Sequence, residues 1–165
     1  MMTVSDSGDV NTPQAHDPHA LAQAVGKTMF AVDAASQGLG MRIEDIGPGH
    51  ARLTMSVRGD MLNGHQTCHG GFIFALADST FAFACNSHNL NTVASGCTID
   101  FLAPAYEHDK LTAVAQEQSL AGRTGVYDIV VTNQDGRRIA LFRGRSYRIK
   151  GQIVATDAQH PVSST

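Results

Sequence analysis

Residues 69–87 read HGGFIFALADSTFAFACNS, and the folding of this stretch decides the architecture of the chain. It is apolar almost throughout, and its length and its Ala and Leu content favour a helix over a strand. A helix that is apolar all round has to be enclosed by other elements. Phe74, Phe81 and Phe83 accordingly read as core packing rather than as the walls of a ligand site. Asp78 interrupts the pattern, between Ala77 and Ser79. A buried, isolated carboxylate is costly unless it is paired or hydrogen-bonded. Either this face of the helix reaches water or an interface, or Asp78 has a chemical task. Its position alone does not separate the two.

The segment His69-Gly70-Gly71 stands where the helix begins. Backbone N–H groups at a helix start lack intrahelical partners, and with the helix dipole they attract developing negative charge. Glycine lets a carbonyl group come close to the backbone. An oxyanion site is built in this way, although a plain glycine turn would look the same. Gly70 and Asp78 are eight residues apart, or about 12 Å along a helix axis. One carbonyl carbon cannot touch both groups of a single chain. A second copy of the helix, packed antiparallel, would bring its Asp78 opposite Gly70. A site made from this pair therefore belongs at a dimer interface.

Alternation and turn signals supply the surroundings of the helix. Residues 1–16 are polar and read as a disordered tail. Asp17 as N-cap and Pro18 at the first helical position start a helix running to about Ala35, and Gly38 and Gly40 end it. A strand from Met41 to Ile46 and the turn Gly47-Pro48-Gly49 precede Ala51–Val57, where apolar and polar residues alternate cleanly. Residues 59–68 form a loop. After the central helix come strands at Val93–Leu102, Leu111–Leu120, Gly125–Asn133 and Arg138–Ile149, with Ala121-Gly122 and Asp135-Gly136 as turns. Short connections make the sheet antiparallel. The expected class is α+β: a curved antiparallel sheet of about five or six strands around one long central helix, plus an N-terminal helix. One domain spans residues 17–150, and residues 151–165 form a polar tail.

Bulk properties narrow the function. A chain of 165 residues fits one domain. Its net charge of −3 argues against a general nucleic-acid binder. Charge is unevenly spread. From Arg123 onward, Arg123, Arg137, Arg138, Arg143, Arg145, Arg148 and Lys150 face only Asp128, Asp135 and Asp157. This part could bind phosphate, or simply carry charged strand edges that deter pairing. Cys68, Cys85 and Cys97 are odd in number and follow no secretory leader, which speaks against a disulfide framework. Asp78 breaks the best candidate for a membrane span. A soluble cytoplasmic protein is expected.

Longer stretches carry a specific resemblance. MLNGHQTCHGGFIFALADSTFAFACNS (61–87), VASGCTIDFLAPA (93–105), TGVYDIVVTNQ (124–134) and ALFRGRSYRI (140–149) resemble the PaaI family of phenylacetate-degradation thioesterases. These are acyl-CoA hydrolases of the hotdog fold. The likeness extends over most of residues 20–150 and keeps the spacing of every motif. It implies that the Gly70 N–H polarises a thioester carbonyl and that Asp78, from the opposite subunit, is the catalytic carboxylate. Asn63 and His69 match polar residues of the same pocket that place the thioester or water. Gly96 departs from the family pattern, which has a small side chain there. The resemblance further implies a phenylacetyl or ring-hydroxylated acyl group, CoA as leaving group, a dimer of dimers, and neither metal nor redox cofactor.

Rival constellations are weaker. His65, Cys68 and His69 are potential metal ligands, but Cys68 and His69 are adjacent and have difficulty reaching one ion together. Cys68 beside His69 suggests a thiol nucleophile, yet sequence neighbours seldom form such a pair, and a small buried Cys is the simpler reading. Asp60 and His65 have the Asp-x4-His spacing of hotdog enoyl-CoA hydratases, in a different context and ahead of the glycine turn. Hydratase is the enzymatic alternative. A non-catalytic acyl-CoA-binding protein of the same fold is the other. Hydrolysis needs the Asp78 carboxylate, whereas binding does not.

Overall fold

Asp17 accepts a hydrogen bond from the His19 N–H at 3.0 Å, and with Pro18 next to it starts helix α1, Pro18–Val32. The computed structural model describes residues 17–155. The expected tail at residues 1–16, and residues 156–165, lie outside the described residues. α1 stops short of Ala35 because Asp33 turns its side chain to a new helix start. Its carboxylate accepts from the Ser36 N–H at 2.9 Å and the Ser36 hydroxyl at 2.6 Å, and so caps a short helix α2, Ala34–Gly38. An Asp that finds a local backbone partner favours a cap over a helix interior. One expected helix thus becomes two.

Strands β1 (Arg42–Gly47) and β2 (His50–Ser56) form a hairpin whose turn holds Gly49 at φ +67°. A 3-10 turn, Gly59–Met61, leads to the central helix α3, Gly70–Asn86. Then follow β3 (Thr92–Phe101), β4 (Lys110–Ala121), β5 (Thr124–Thr132) and β6 (Arg138–Arg148). The order across the six-stranded sheet is β1-β2-β4-β5-β6-β3, antiparallel at every pairing.

The sheet wraps α3. Ile73, Leu76, Ala77, Phe81, Phe83 and Ala84 of the helix are buried against inward residues such as Leu53, Met55, Leu111, Tyr127, Ile129 and Phe142. The Phe81 ring lies 5.5 Å from that of Tyr127 and 6.0 Å from that of Phe142. A Cβ at Gly144 would stand 2.7 Å from the Phe81 ring, so glycine on β6 permits this close approach of helix to sheet. The phenylalanines are core, as their sequence setting implies.

Two features of β3 matter for the site. Its outer edge has no strand partner among the described residues, yet carries Val93 at 44% and Phe101 at 52% exposure. An exposed edge with apolar side chains is a surface for pairing with another chain. Its pairing with β6 shifts register between Ala94 and Gly96, and there the Ser95 hydroxyl donates to the Arg145 carbonyl at 3.1 Å.

Ser146 on β6 is 1% exposed, and its hydroxyl has no hydrogen-bond partner among the described residues. A buried hydroxyl without a partner is a net cost. Ser146→Ala is expected to raise the unfolding free energy by about 1 kcal/mol, read from the denaturant midpoint. A fall in the midpoint would show that the hydroxyl has a stabilising role.

Candidate active site

Asp78 sits on the third turn of α3, half-buried at the border of the core. The sequence left open whether this carboxylate is paired. It forms no hydrogen bond or ion pair with any described residue, and burial alone pushes its pKa above the ordinary carboxylate value. It opens onto a hollow of about 330 Å³ that also touches Met29 of α1, Phe81 and Cys85 of α3, and Thr92–Ala94 at the start of β3. Cys85 is an inert neighbour: burial pushes its thiol up to about 12, and the charge of Asp78 adds to the rise.

Gly70 is the first residue of α3. Its N–H belongs to the group of donors that a helix start leaves without intrahelical partners. His69 is the N-cap, and its Nδ1 accepts from the Gly71 N–H at 3.0 Å. That bond assigns Nδ1 as the acceptor and the proton to Nε2. It occupies the neighbouring N–H and leaves the Gly70 donor for a ligand. A Cβ on Gly70 would stand 3.0 Å from the Phe101 ring, so this approach is narrow. Gly70 borders a second hollow, of about 490 Å³, with Thr67, Cys68, Ile73 and the stretch Phe101–Pro104.

Asn63, which the family resemblance places among the polar residues of the pocket, has its side-chain oxygen engaged within its own loop. Its side-chain oxygen accepts from the His65 N–H at 2.9 Å, the Thr67 N–H at 3.3 Å and the Thr67 hydroxyl at 3.2 Å. The oxygen thereby shapes the loop that carries the chain into α3, and Leu62 and Cys68 bridge the base of that loop. Neither Asn63 nor His69 lines the hollow at Gly70; both support the backbone that frames it.

The rival groups do not assemble. Asp60 is bound to Arg58 on the surface, with contacts of 2.9 and 3.1 Å, and makes no hydrogen bond to His65. Burial, followed by the charge of Asp109, pushes the Cys68 thiol up to about 11, which is unsuited to a nucleophile. Among the described residues no three His, Cys, Asp or Glu side chains gather closely enough to hold a metal ion. Of the C-terminal basic residues, Arg143 is engaged by Asp128 in a two-pronged pair at 2.6 and 2.7 Å. It is therefore not a spare phosphate ligand. No described helix is long and apolar enough to cross a membrane.

The two halves of the candidate site lie at opposite ends of β3. The Asp78 hollow meets residues 92–94, and the Gly70 hollow meets residues 101–104. The sequence separates the two groups by distance; the strand that spans them is a finding of the structure. Thr67, Met29 and the ends of β3 carry no signal in the sequence, because only the tertiary fold brings them to these hollows.

A six-stranded antiparallel sheet wrapped around one helix is the hotdog architecture, and likeness to known proteins gives its family. The sequence profile of the thioesterase superfamily matches residues 65–140. The acyl-coenzyme A thioesterase PaaI of Escherichia coli is 53% identical over 125 residues, which cover 76% of this chain and 89% of that protein. The solved structure of E. coli PaaI, from the phenylacetic acid degradation operon, superposes with a TM-score of 0.82 at 48% identity, covering 82% of this chain and 99% of that one. A hypothetical thioesterase protein of Streptococcus pneumoniae, solved with coenzyme A, matches at 28% identity and a TM-score of 0.65, covering 68% of this chain and 90% of the other. The chain belongs to the thioesterase superfamily and, within it, to the PaaI-type acyl-CoA thioesterases.

Proposed function

We propose that this protein hydrolyses aryl-CoA thioesters, of the phenylacetyl or hydroxyphenylacetyl type, to the free acid and CoA. Each site is shared by two chains. The observation that carries this reading is the division of the site along β3: an unpartnered, half-buried carboxylate at one end and the N–H of a helix-starting glycine at the other. Two-fold pairing of exposed β3 edges, antiparallel, sets residues 92–94 of one chain beside residues 101–104 of its mate. The two hollows then become one, twice over.

In that arrangement the thioester oxygen accepts from the Gly70 N–H at the positive end of α3. Asp78 of the second chain takes a proton from water, and the resulting hydroxide adds to the carbonyl carbon. The oxyanion collapses, the C–S bond breaks, and the CoA thiolate leaves. A carboxylate with a raised pKa is well matched to general-base work. Direct attack by Asp78 to form a mixed anhydride, which water then opens, would use the same two groups. His69 holds the Gly71 N–H and so keeps the helix start in shape, and Asn63 holds the preceding loop. Exposed arginines of the C-terminal half, Arg143 apart, suit the CoA phosphates.

The aryl substrate is supported by the likeness to E. coli PaaI and by its operon. Three unpaired cysteines suit a reducing cytoplasm. A dimer is the smallest assembly that completes the site, and the family resemblance extends it to a dimer of dimers. Thiol release from a panel of aryl- and alkyl-CoAs tests the reading, with phenylacetyl-type esters expected to have the highest kcat/KM. Binding without turnover would favour the acyl-CoA-binding alternative.

Gly70→Ala is expected to lower kcat by about 100-fold, the usual effect of disturbing one oxyanion donor. The fold should survive, because the added methyl meets only the half-exposed Phe101 ring. Steady-state kinetics beside a melting curve check both parts, and an unchanged kcat would move the oxyanion site elsewhere.

A further inference from the structure

The chain does not leave the body of the protein after β6. Gly151, at φ +102°, turns it back toward the end of α3. There Asn89, 2% exposed and at φ +58°, faces the returning segment with its whole carboxamide. Its Oδ1 accepts from the Ile153 N–H at 3.0 Å and the Val154 N–H at 2.9 Å. Its Nδ2 donates to the Val154 carbonyl at 2.9 Å. Asn91 adds a bond from its Nδ2 to the Lys150 carbonyl and one from its N–H to the Gly151 carbonyl, each 3.2 Å long. The Ile149 N–H returns one to the Asn91 carbonyl at 2.8 Å. Left-handed backbone is tolerated by Asn better than by most residues, and here it aims the side chain at a segment more than sixty residues away in sequence.

This clasp has a consequence for the Asp78 hollow. Ile153 lines it together with Met29, Phe81 and Val93. Four parts of the chain thus line the smaller hollow: α1, α3, the start of β3 and the returning segment. The larger hollow, at Gly70, lacks such an added wall. A thioester has one end that stops, the acyl group, and one that must lead out to solvent, the CoA. The smaller hollow, with Met29, Phe81, Val93 and Ile153 among its walls, suits the first and the larger hollow the second.

We infer that Ile153 is a specificity-determining wall of the acyl pocket, and that Asn89 is the positioning residue that seats it. The inference rests on the thioesterase reading above. Ile153→Ala removes three carbon atoms from the wall, and a single methylene in such a pocket already changes discrimination by about tenfold or more. Ile153→Phe adds bulk and must act in the opposite sense. Asn89→Gly keeps the left-handed backbone accessible while deleting the clasp.

The test compares wild type with these three variants on phenylacetyl-, hexanoyl-, octanoyl- and decanoyl-CoA. The kcat/KM ratio of decanoyl to phenylacetyl ester is expected to rise at least about tenfold in Ile153→Ala and to fall in Ile153→Phe. Asn89→Gly should move it in the same direction as Ile153→Ala. It should also speed hydrogen exchange at the amides of Ile153 and Val154, which Ile153→Ala leaves protected. General loosening of the fold would not produce opposite shifts from the two Ile153 variants. Affinities for non-hydrolysable thioether analogues of the same four esters read the pocket without turnover. Wild type that binds these analogues but hydrolyses none of the esters would refute the thioesterase reading while still scoring the wall. An unchanged acyl preference in folded Ile153→Ala and Ile153→Phe would overturn the inference, whatever the catalytic rate.

Discussion

Asp78→Asn should lower the rate of thioester hydrolysis by roughly 10²–10⁴-fold, the range for loss of a positioned acid–base group, and should make the protein more stable at neutral pH. Both effects come from one placement. The carboxylate is half-buried on α3 with no hydrogen bond or ion pair to any described residue, and burial raises its pKa. The folded state therefore holds this proton more tightly than the unfolded chain does. Between the unfolded pKa and the raised folded one, the folded protein binds the extra proton, so its stability falls as pH rises through that window. At neutral pH the ionised group sits in the folded protein at a cost. Asparagine has nearly the same shape and no charge to desolvate. Its Tm should exceed that of wild type at neutral pH, and the gap should close as pH falls below the ordinary carboxylate range, about 4. In wild type, kcat should decline as pH falls through the Asp78 pKa, above where a free carboxylate would titrate. Kinetics and melting curves across pH check these expectations together. A folded variant with most of its kcat would make Asp78 structural. A Tm gap that ignored pH would remove burial as the source of the shift.

Asp78 stands out in the sequence for the same reason that burial raises its pKa: it is a charge among apolar neighbours. A lone carboxylate in an apolar helix is a local inconsistency, and those gather at functional sites. The helix itself was equally plain: expected over His69–Ser87, it runs over Gly70–Asn86. The four later strands fall within one or two residues of expectation, because alternation and the turns at Gly122 and Gly136, at φ +59° and +76°, mark their ends. What stayed hidden depends on distant partners or on a choice between local bonds. Asp33 could have continued α1, and its bond to Ser36 decided otherwise. The placing of β3 beyond β6 is a matter of long-range pairing that no window of sequence contains. The contacts of Asn63 were likewise hidden: three bonds within its own loop occupy its oxygen. Ile153 was read as part of a tail, and bonds from Asn89 and Asn91, far away in the chain, hold its segment at the hollow.

Mixing two inactive variants should restore activity if each site draws on two chains. The expectation rests first on distance. Gly70 and Asp78 of one helix are about 12 Å apart along its axis, too far to act on one carbonyl. It rests also on β3, whose exposed edge runs from the Asp78 hollow to the Gly70 hollow. In a mixed dimer of Asp78→Asn and Gly70→Ala chains, one site combines the intact Gly70 of the first with the intact Asp78 of the second. The other site receives both defects. Half of the sites in each mixed dimer are then whole. If exchange at equal concentrations is random, half of all dimers are mixed, and total activity should reach about one quarter of wild type for independent sites. The Gly70→Ala parent should supply only about one hundredth, so the restored signal stands well above background. Differently tagged chains, purified as verified heterodimers, should show about half the wild-type kcat per dimer. Heterodimers that stayed inactive would rule out the shared site and leave Gly70 and Asp78 to act, if they act together at all, by some route within one chain.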